Sequence, residues 1–190
     1  FQSLQPKLLT CLSRIHSSKD CFTIYHNARD MGFDNINIDM LFNIPGQSLE
    51  VFQYDLKQVI KLEPEHISAY SLTVEKNTPF HTMVQEGKIT MPSKEVALDM
   101  FEFCREFLNI HGYYQYEISN YARDKMKCHH NLHYWNLEPY LAFGPSAHGY
   151  DGHRRWWNSS SLDTYIQMLE HNEKPESGSE TLSYIDHINE

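Results

Sequence analysis

Residues 36–73 read INIDMLFNIPGQSLEVFQYDLKQVIKLEPEHISAYSLT, and the succession of patterns in this stretch decides the fold. Ile36 to Phe42 is short and rich in Ile, Met, Leu and Phe, as expected of a strand buried on both faces, and strand alternation puts Asn37, Asp39 and Leu41 on one side. Pro45-Gly46 closes that strand, Ser48 is suited to cap a helix, and Phe52, Leu56, Val59 and Ile60 repeat at helical spacing within residues 49–62. His66 to Thr73 is a second short apolar strand. A strand, a helix and a strand at these lengths imply a right-handed crossover between parallel strands, one piece of a βα sheet or barrel.

Working outward, Ser3 is placed to cap a helix from Leu4 to about Ile15, with Leu8, Leu9, Leu12 and Ile15 on one face. A second helix begins at Ser18 and stops at Gly32. Beyond Thr73, residues 80–88 form a short helix and residues 93–111 a long one with Gly112 just past its end. Tyr113 to Ser119 mixes aromatic and polar side chains and reads as a strand, antiparallel or peripheral to the parallel pair. Residues 120–158 favour loops and very short elements. A last helix spans residues 161–171, residues 174–180 form a polar linker, and the start of another helix falls at Glu190.

Composition narrows the function classes. The chain has 190 residues, one domain's worth, with a formal charge of −9, which argues against a phosphate-backbone partner and hence against nucleic acid. Its twelve histidines are several-fold more than a globular chain usually carries. The cysteines, at 11, 21, 104 and 128, make neither a Cys-x2-Cys pair nor a disulfide framework, which fits a reducing compartment. With no run of about 18 apolar residues, the chain is expected to be soluble and cytoplasmic; starting at Phe1, it is also expected to be incomplete.

Two places invite chemistry. Asp39 puts a carboxylate inside an apolar strand, which is costly unless it meets a partner, a ligand or water. It either lines a site or merely pairs with a nearby Arg or caps a loop. The second place is residues 128–157, CHHNLHYWNLEPYLAFGPSAHGYDGHRRWW, with five histidines, three tryptophans and three tyrosines. Metal or heme ligation, acid–base work and a loop held by imidazole hydrogen bonds all remain open there. On a helix His129 and His133 would share a face, but Asn131 and Tyr134-Trp135 speak against regular helix. Gly144-Pro145-Ser146-Ala147-His148-Gly149 is a weak phosphate-loop candidate, and a tight turn presenting His148 is the simpler reading.

Taken together, Gln2-Ser3, Ser13-Arg14-Ile15-His16, Asn37-Ile38-Asp39-Met40-Leu41, Ile44-Pro45-Gly46-Gln47, Tyr70-Ser71-Leu72-Thr73, Tyr116-Glu117-Ile118-Ser119-Asn120 and His130-Asn131-x-x-Tyr134-Trp135 resemble the HemW branch of the oxygen-independent coproporphyrinogen III oxidase (HemN) family of radical S-adenosylmethionine proteins. The resemblance implies an α/β fold: the C-terminal part of a partial (β/α)6 barrel over residues 1–112, followed by a mixed α+β extension over 113–190. It implies that Gln2, Arg14, Asp39 and, more weakly, Thr73 hold S-adenosylmethionine, with Asp39 on the ribose hydroxyls and Arg14 on the carboxylate. The family's Cys-x3-Cys-x2-Cys set, which binds a [4Fe-4S] cluster, is absent from this chain, so enzymatic activity of the chain alone is not expected.

Within that family the His130-Asn131-x-x-Tyr134-Trp135 motif implies a heme chaperone that passes heme to an acceptor protein, soluble or membrane-associated. His130 is then expected to ligate heme iron or to orient the porphyrin, Tyr134 and Trp135 pack on it, and Cys128 is an outside candidate for attachment; the simpler alternative is that His130, Tyr134 and Trp135 stabilise the junction after the barrel. The alternative within the family is the oxidase itself, which decarboxylates two propionates of coproporphyrinogen III. An alternative from another class is a histidine-rich protein that binds a divalent metal.

Overall fold

A computed structural model describes residues 1–183 as two units, each compact in itself: Phe1–Cys128 and residues 129–183. The helix start expected at Glu190 lies outside the described residues.

The first unit runs α1 (Pro6–Cys11), α2 (Ser18–Asp30), β1 (Asn37–Phe42), α3 (Leu49–Ile60), β2 (His66–Ser71), α4 (Pro79–Gln85), α5 (Lys94–Ile110), β3 (Tyr114–Gln115) and β4 (Asn120–Ala122). β1 and β2 pair in parallel from Asn37–His66 to Phe42–Ser71, joined through α3 as the crossover requires. β4 pairs antiparallel with β2, and β3 with β4, giving the order β1-β2-β4-β3. Of the strand expected over 113–119 only Tyr114–Gln115 forms, and its hairpin partner β4 falls just beyond, at Asn120–Ala122. Both belong to the sheet of the first unit rather than to the extension expected over 113–190.

One sheet face carries the core. Ile38, Met40 and Phe42 of β1 and Ile67 and Ala69 of β2 pack with Phe52, Leu56 and Val59 of α3, Met100, Cys104 and Leu108 of α5, and Tyr113 and Tyr121. The opposite face is polar. Asn37 is exposed and Asp39 and Leu41 are half-buried, which corrects the expectation of a strand buried on both sides. α2 is fixed by a capping box between Ser17 and Asp20, and Gly32, at φ +89°, takes the left-handed turn that ends it. Its Arg29 makes two hydrogen bonds to Glu65, at 2.8 and 2.9 Å, and two to the Tyr25 hydroxyl, tying the helix end to the entry of β2.

The first helix is shorter than its pattern suggests. α1 ends at Cys11, Ser13 turns into the left-handed region at φ 54°, and Ile15 is solvent-exposed. Ser3 does not cap it. Instead Ser3 Oγ donates to Asp55 Oδ2 at 2.6 Å, the Leu4 N–H donates to the same oxygen at 3.0 Å, and Gln5 Nε2 donates to Asp55 Oδ1 at 2.6 Å. Asp55 is completely buried in α3, and these three neutral donors are what make burial of its carboxylate tolerable.

The second unit contains α6 (His129–Trp135), β5 (His148–Tyr150), β6 (Arg154–Asn158), α7 (Leu162–Glu170) and β7 (Glu176–Thr181). Its sheet is antiparallel, ordered β5-β6-β7. Two of these elements correct the sequence reading: residues 129–135 are helical, and the polar stretch expected as a linker is β7. β7 has no apolar side chain to signal a strand. It is held through Glu176 and Glu180, which pair with Arg154 and Arg155 of β6, and through Gly178, opposite Trp157. Ser161 caps α7, which falls within the helix expected over 161–171.

Candidate functional site

On the polar face of the first sheet, register sets Asp39 beside Ser68 and Ser68 beside Asn120, while Asn37 lies beside His66. Partner residues in a ladder project to the same side, so these side chains form two adjoining polar rows. Asn37 Nδ2 donates to Asp39 Oδ1 at 2.7 Å, and Asn37 Oδ1 faces His66 Nδ1 at 2.6 Å and accepts from Ser68 Oγ at 3.2 Å. His66 Nε2 is 2.8 Å from the Tyr116 hydroxyl, whose oxygen accepts the Cys128 N–H at 3.2 Å. Burial pushes the His66 pKa below its ordinary value against the opposing pull of Asp39 and Glu117, so the imidazole is held neutral. Asn120 Oδ1, also buried, has no partner among the described residues.

Gln2 pairs in parallel with Met40 along the other edge of β1. Its N–H donates to the Asp39 carbonyl and its own carbonyl accepts from the Leu41 N–H, both at 2.8 Å. Its φ of 73° is a left-handed backbone uncommon for glutamine, the sort of strain that persists when neighbours impose it. Those neighbours are the next three residues, clamped by Asp55. Backbone pairing thus brings Gln2 and Asp39 together. Arg14 and Thr73 are exposed, and the residue before each, Ser13 and Leu72, lines one cleft of about 660 Å³ with Leu12, Phe80 and Met83. The Arg14 guanidinium has no partner among the described residues.

The donor set fits S-adenosylmethionine chemically. A half-buried carboxylate with one oxygen already oriented matches a vicinal diol, an unpaired guanidinium matches a carboxylate, and an orphaned amide oxygen can accept a further donor. It does not fit an iron–sulfur cluster. Cys104 is buried with its thiol pushed up to about 12, and burial also raises Cys21 and Cys11. Among the described residues no three His, Cys, Asp or Glu side chains come together as a metal site.

In the second unit, α6 displays the histidine motif on its surface. His133 is committed: its Nδ1 lies 2.8 Å from Glu138 and its Nε2 2.8 Å from the Pro139 carbonyl. The metal pair weighed for His129 and His133 therefore has no support. His130 is exposed, with its ring edge-on to Tyr134 at 5.0 Å and no hydrogen-bond partner among the described residues. Tyr134 packs on Tyr140 at 4.6 Å, and Trp135 is about half exposed. His148 stands on β5, its ring 5.9 Å from Trp157, rather than in a phosphate loop.

Sequence reasoning missed His66, Asn120 and Asp55. Two signals were present. Asp55 falls in the apolar series Phe52, Asp55, Leu56, Val59, and His66 and Ser68 keep strand parity with each other.

No family model matches the chain. Over 88% of its length it is 39% identical to the heme chaperone HemW of Bacillus subtilis, and over 95% it is 33% identical to that of Mycobacterium tuberculosis. These matches cover 44% and 46% of those proteins, so the chain spans a little under half the length of the curated relatives it matches. Among solved structures, coproporphyrinogen III oxidase (HemN) from Escherichia coli, a radical SAM enzyme, matches with a TM-score of 0.80 at 22% identity, covering 99% of this chain and 46% of that one. No helix among the described residues is long and apolar enough to cross a membrane. With sequence relatives and fold pointing the same way, the chain is a HemW-like sequence carrying part of the HemN radical S-adenosylmethionine fold.

Proposed function

We propose that the chain serves a heme chaperone, with His130 as the iron ligand and Tyr134 and Trp135 as the packing surface for the porphyrin. The observation that carries this reading is the state of His130: an exposed imidazole with no hydrogen-bond partner among the described residues, edge-on to the Tyr134 ring, on a helix whose His133 is occupied. An axial ligand needs a free ring nitrogen, and a planar macrocycle gains from aromatic faces. A cargo that must be handed on is better held at a surface than enclosed. The implied partner is a heme acceptor, soluble or membrane-associated, and the free cysteines suit a cytoplasmic setting.

On the same reading Gln2, Arg14, Asp39 and Thr73 hold S-adenosylmethionine: Asp39 accepts from the ribose hydroxyls and Arg14 pairs with the carboxylate. Beside a reduced cluster that ligand supplies one-electron chemistry. No cysteine set of this chain fits such a cluster.

The test is a heme titration followed by absorbance in the Soret region, for the wild type and for His130→Ala and His133→Ala. Saturable binding that is lost in His130→Ala and kept in His133→Ala is expected. Equal binding by all three would remove His130 from the role, and no binding by the wild type would count against the chaperone reading.

A further inference from the structure

The polar chain behind Asp39 has one self-consistent direction. A carboxylate only accepts, so the Asn37 amide must turn its Nδ2–H toward Asp39 Oδ1, 2.7 Å away. That sets Asn37 Oδ1 toward His66 Nδ1 at 2.6 Å, where Ser68 Oγ also donates to it at 3.2 Å. An amide oxygen only accepts as well, so His66 carries its proton on Nδ1. A buried neutral imidazole then has a bare Nε2, which accepts the Tyr116 hydroxyl proton at 2.8 Å. The Cys128 N–H donates to the phenol oxygen and closes the chain. Each link leaves its neighbour one orientation, and the end of the series is Asp39 with Oδ1 pinned and Oδ2 without a partner among the described residues.

We propose that Asn37 and His66 are positioning residues: together they fix the Asp39 carboxylate so that its second oxygen is presented to a vicinal diol, here the ribose of S-adenosylmethionine. The inference rests on the S-adenosylmethionine reading given above and deepens it. Neither residue touches the ligand in this scheme. Asn37 supplies the orienting hydrogen bond, and His66 prevents the amide from flipping, which would set its oxygen against the carboxylate.

The experiment is calorimetric titration of S-adenosylmethionine into the protein at its natural length, with melting midpoints recorded for each variant. Asn37→Ala should weaken binding about tenfold, the scale of one hydrogen bond to a charged group, and His66→Leu somewhat less. His66→Asn should stay near wild type, because its Nδ2–H replaces the Nδ1 donor. The double variant Asn37→Ala/His66→Leu should bind no more weakly than Asn37→Ala alone, since the two act through one link. A purely structural role would move the melting midpoints without this pattern of rescue and non-additivity.

Wild-type binding with folded Asn37→Ala and His66→Leu variants equally tight would overturn the inference and leave the S-adenosylmethionine reading standing. Absence of binding by the wild type would remove both. If the leucine variant does not fold, nitrogen-15 spectra of wild-type His66 decide: a protonated Nδ1 and bare Nε2 support the chain, and a proton on Nε2 alone overturns it.

Discussion

The two units solve the same problem in different ways. In Phe1–Cys128, two faces of regular structure bury apolar side chains against each other, and the polar work is done on the reverse of the sheet. In residues 129–183, neither α6 nor α7 has a buried residue, and the buried positions cluster at Gly149, Tyr150, Asn158 and Ser159. The first unit is therefore held by area removed from water and the second by a few specific contacts. Large-to-small changes should dominate in one, small-to-large changes in the other.

The largest effect that would sharpen this contrast is Phe52→Ala, which should cost about 3–5 kcal/mol of stability. All three tryptophans, 135, 156 and 157, belong to the second unit, so their fluorescence reports on that unit while helical circular dichroism is weighted toward the first. Denaturant curves by both probes should show the dichroism midpoint falling further than the fluorescence midpoint; coincident shifts would break the contrast. Asp55→Ala comes next, at about 2–4 kcal/mol, because it strands two buried donors, Ser3 Oγ and the Leu4 N–H, and the half-buried Gln5 amide. Asp55→Asn, which keeps the shape and one acceptor, should lose less.

In the second unit Gly149→Ala sets a Cβ 2.2 Å from the Trp156 ring, and displacing the ring should cost about 1–3 kcal/mol, seen mainly in fluorescence. A smaller effect concerns pH. His66 titrates below its ordinary 6.5 in the folded protein, so on acidification the unfolded chain binds the proton first. Stability should be flat above neutrality and decline as pH falls from roughly 6.5 toward the lower folded value, a slope that His66→Asn removes. The smallest is His130→Ala, which should leave both unfolding midpoints unmoved while abolishing heme binding.

Legibility followed the same division. The parallel pair β1 and β2 and its crossover helix could be read because apolar periodicity changes from two to helical and back within 36–73. The period of Leu8, Leu9, Leu12 and Ile15 predicts a longer α1 than forms, because Ser13's left-handed turn leaves no mark in that pattern. β7 was invisible because its strand character comes from partners on β6. At the site, Asp39 was conspicuous as a lone carboxylate among apolar neighbours, whereas His66 and Asn120 depend on register between strands far apart in sequence.

Trp156 and Trp157 are neighbours on the central strand of the second sheet, so they face opposite ways, and each lies over a glycine directly across: Gly149 on β5 and Gly178 on β7. Each indole fits only where its partner strand offers no side chain. A slip of one residue would drive Trp156 into His148 or Tyr150, and Trp157 into Ser177 or Ser179. The pairs act as a two-toothed key that encodes alignment in four residues, freeing the rest of a nearly coreless sheet to vary in sequence without losing its place.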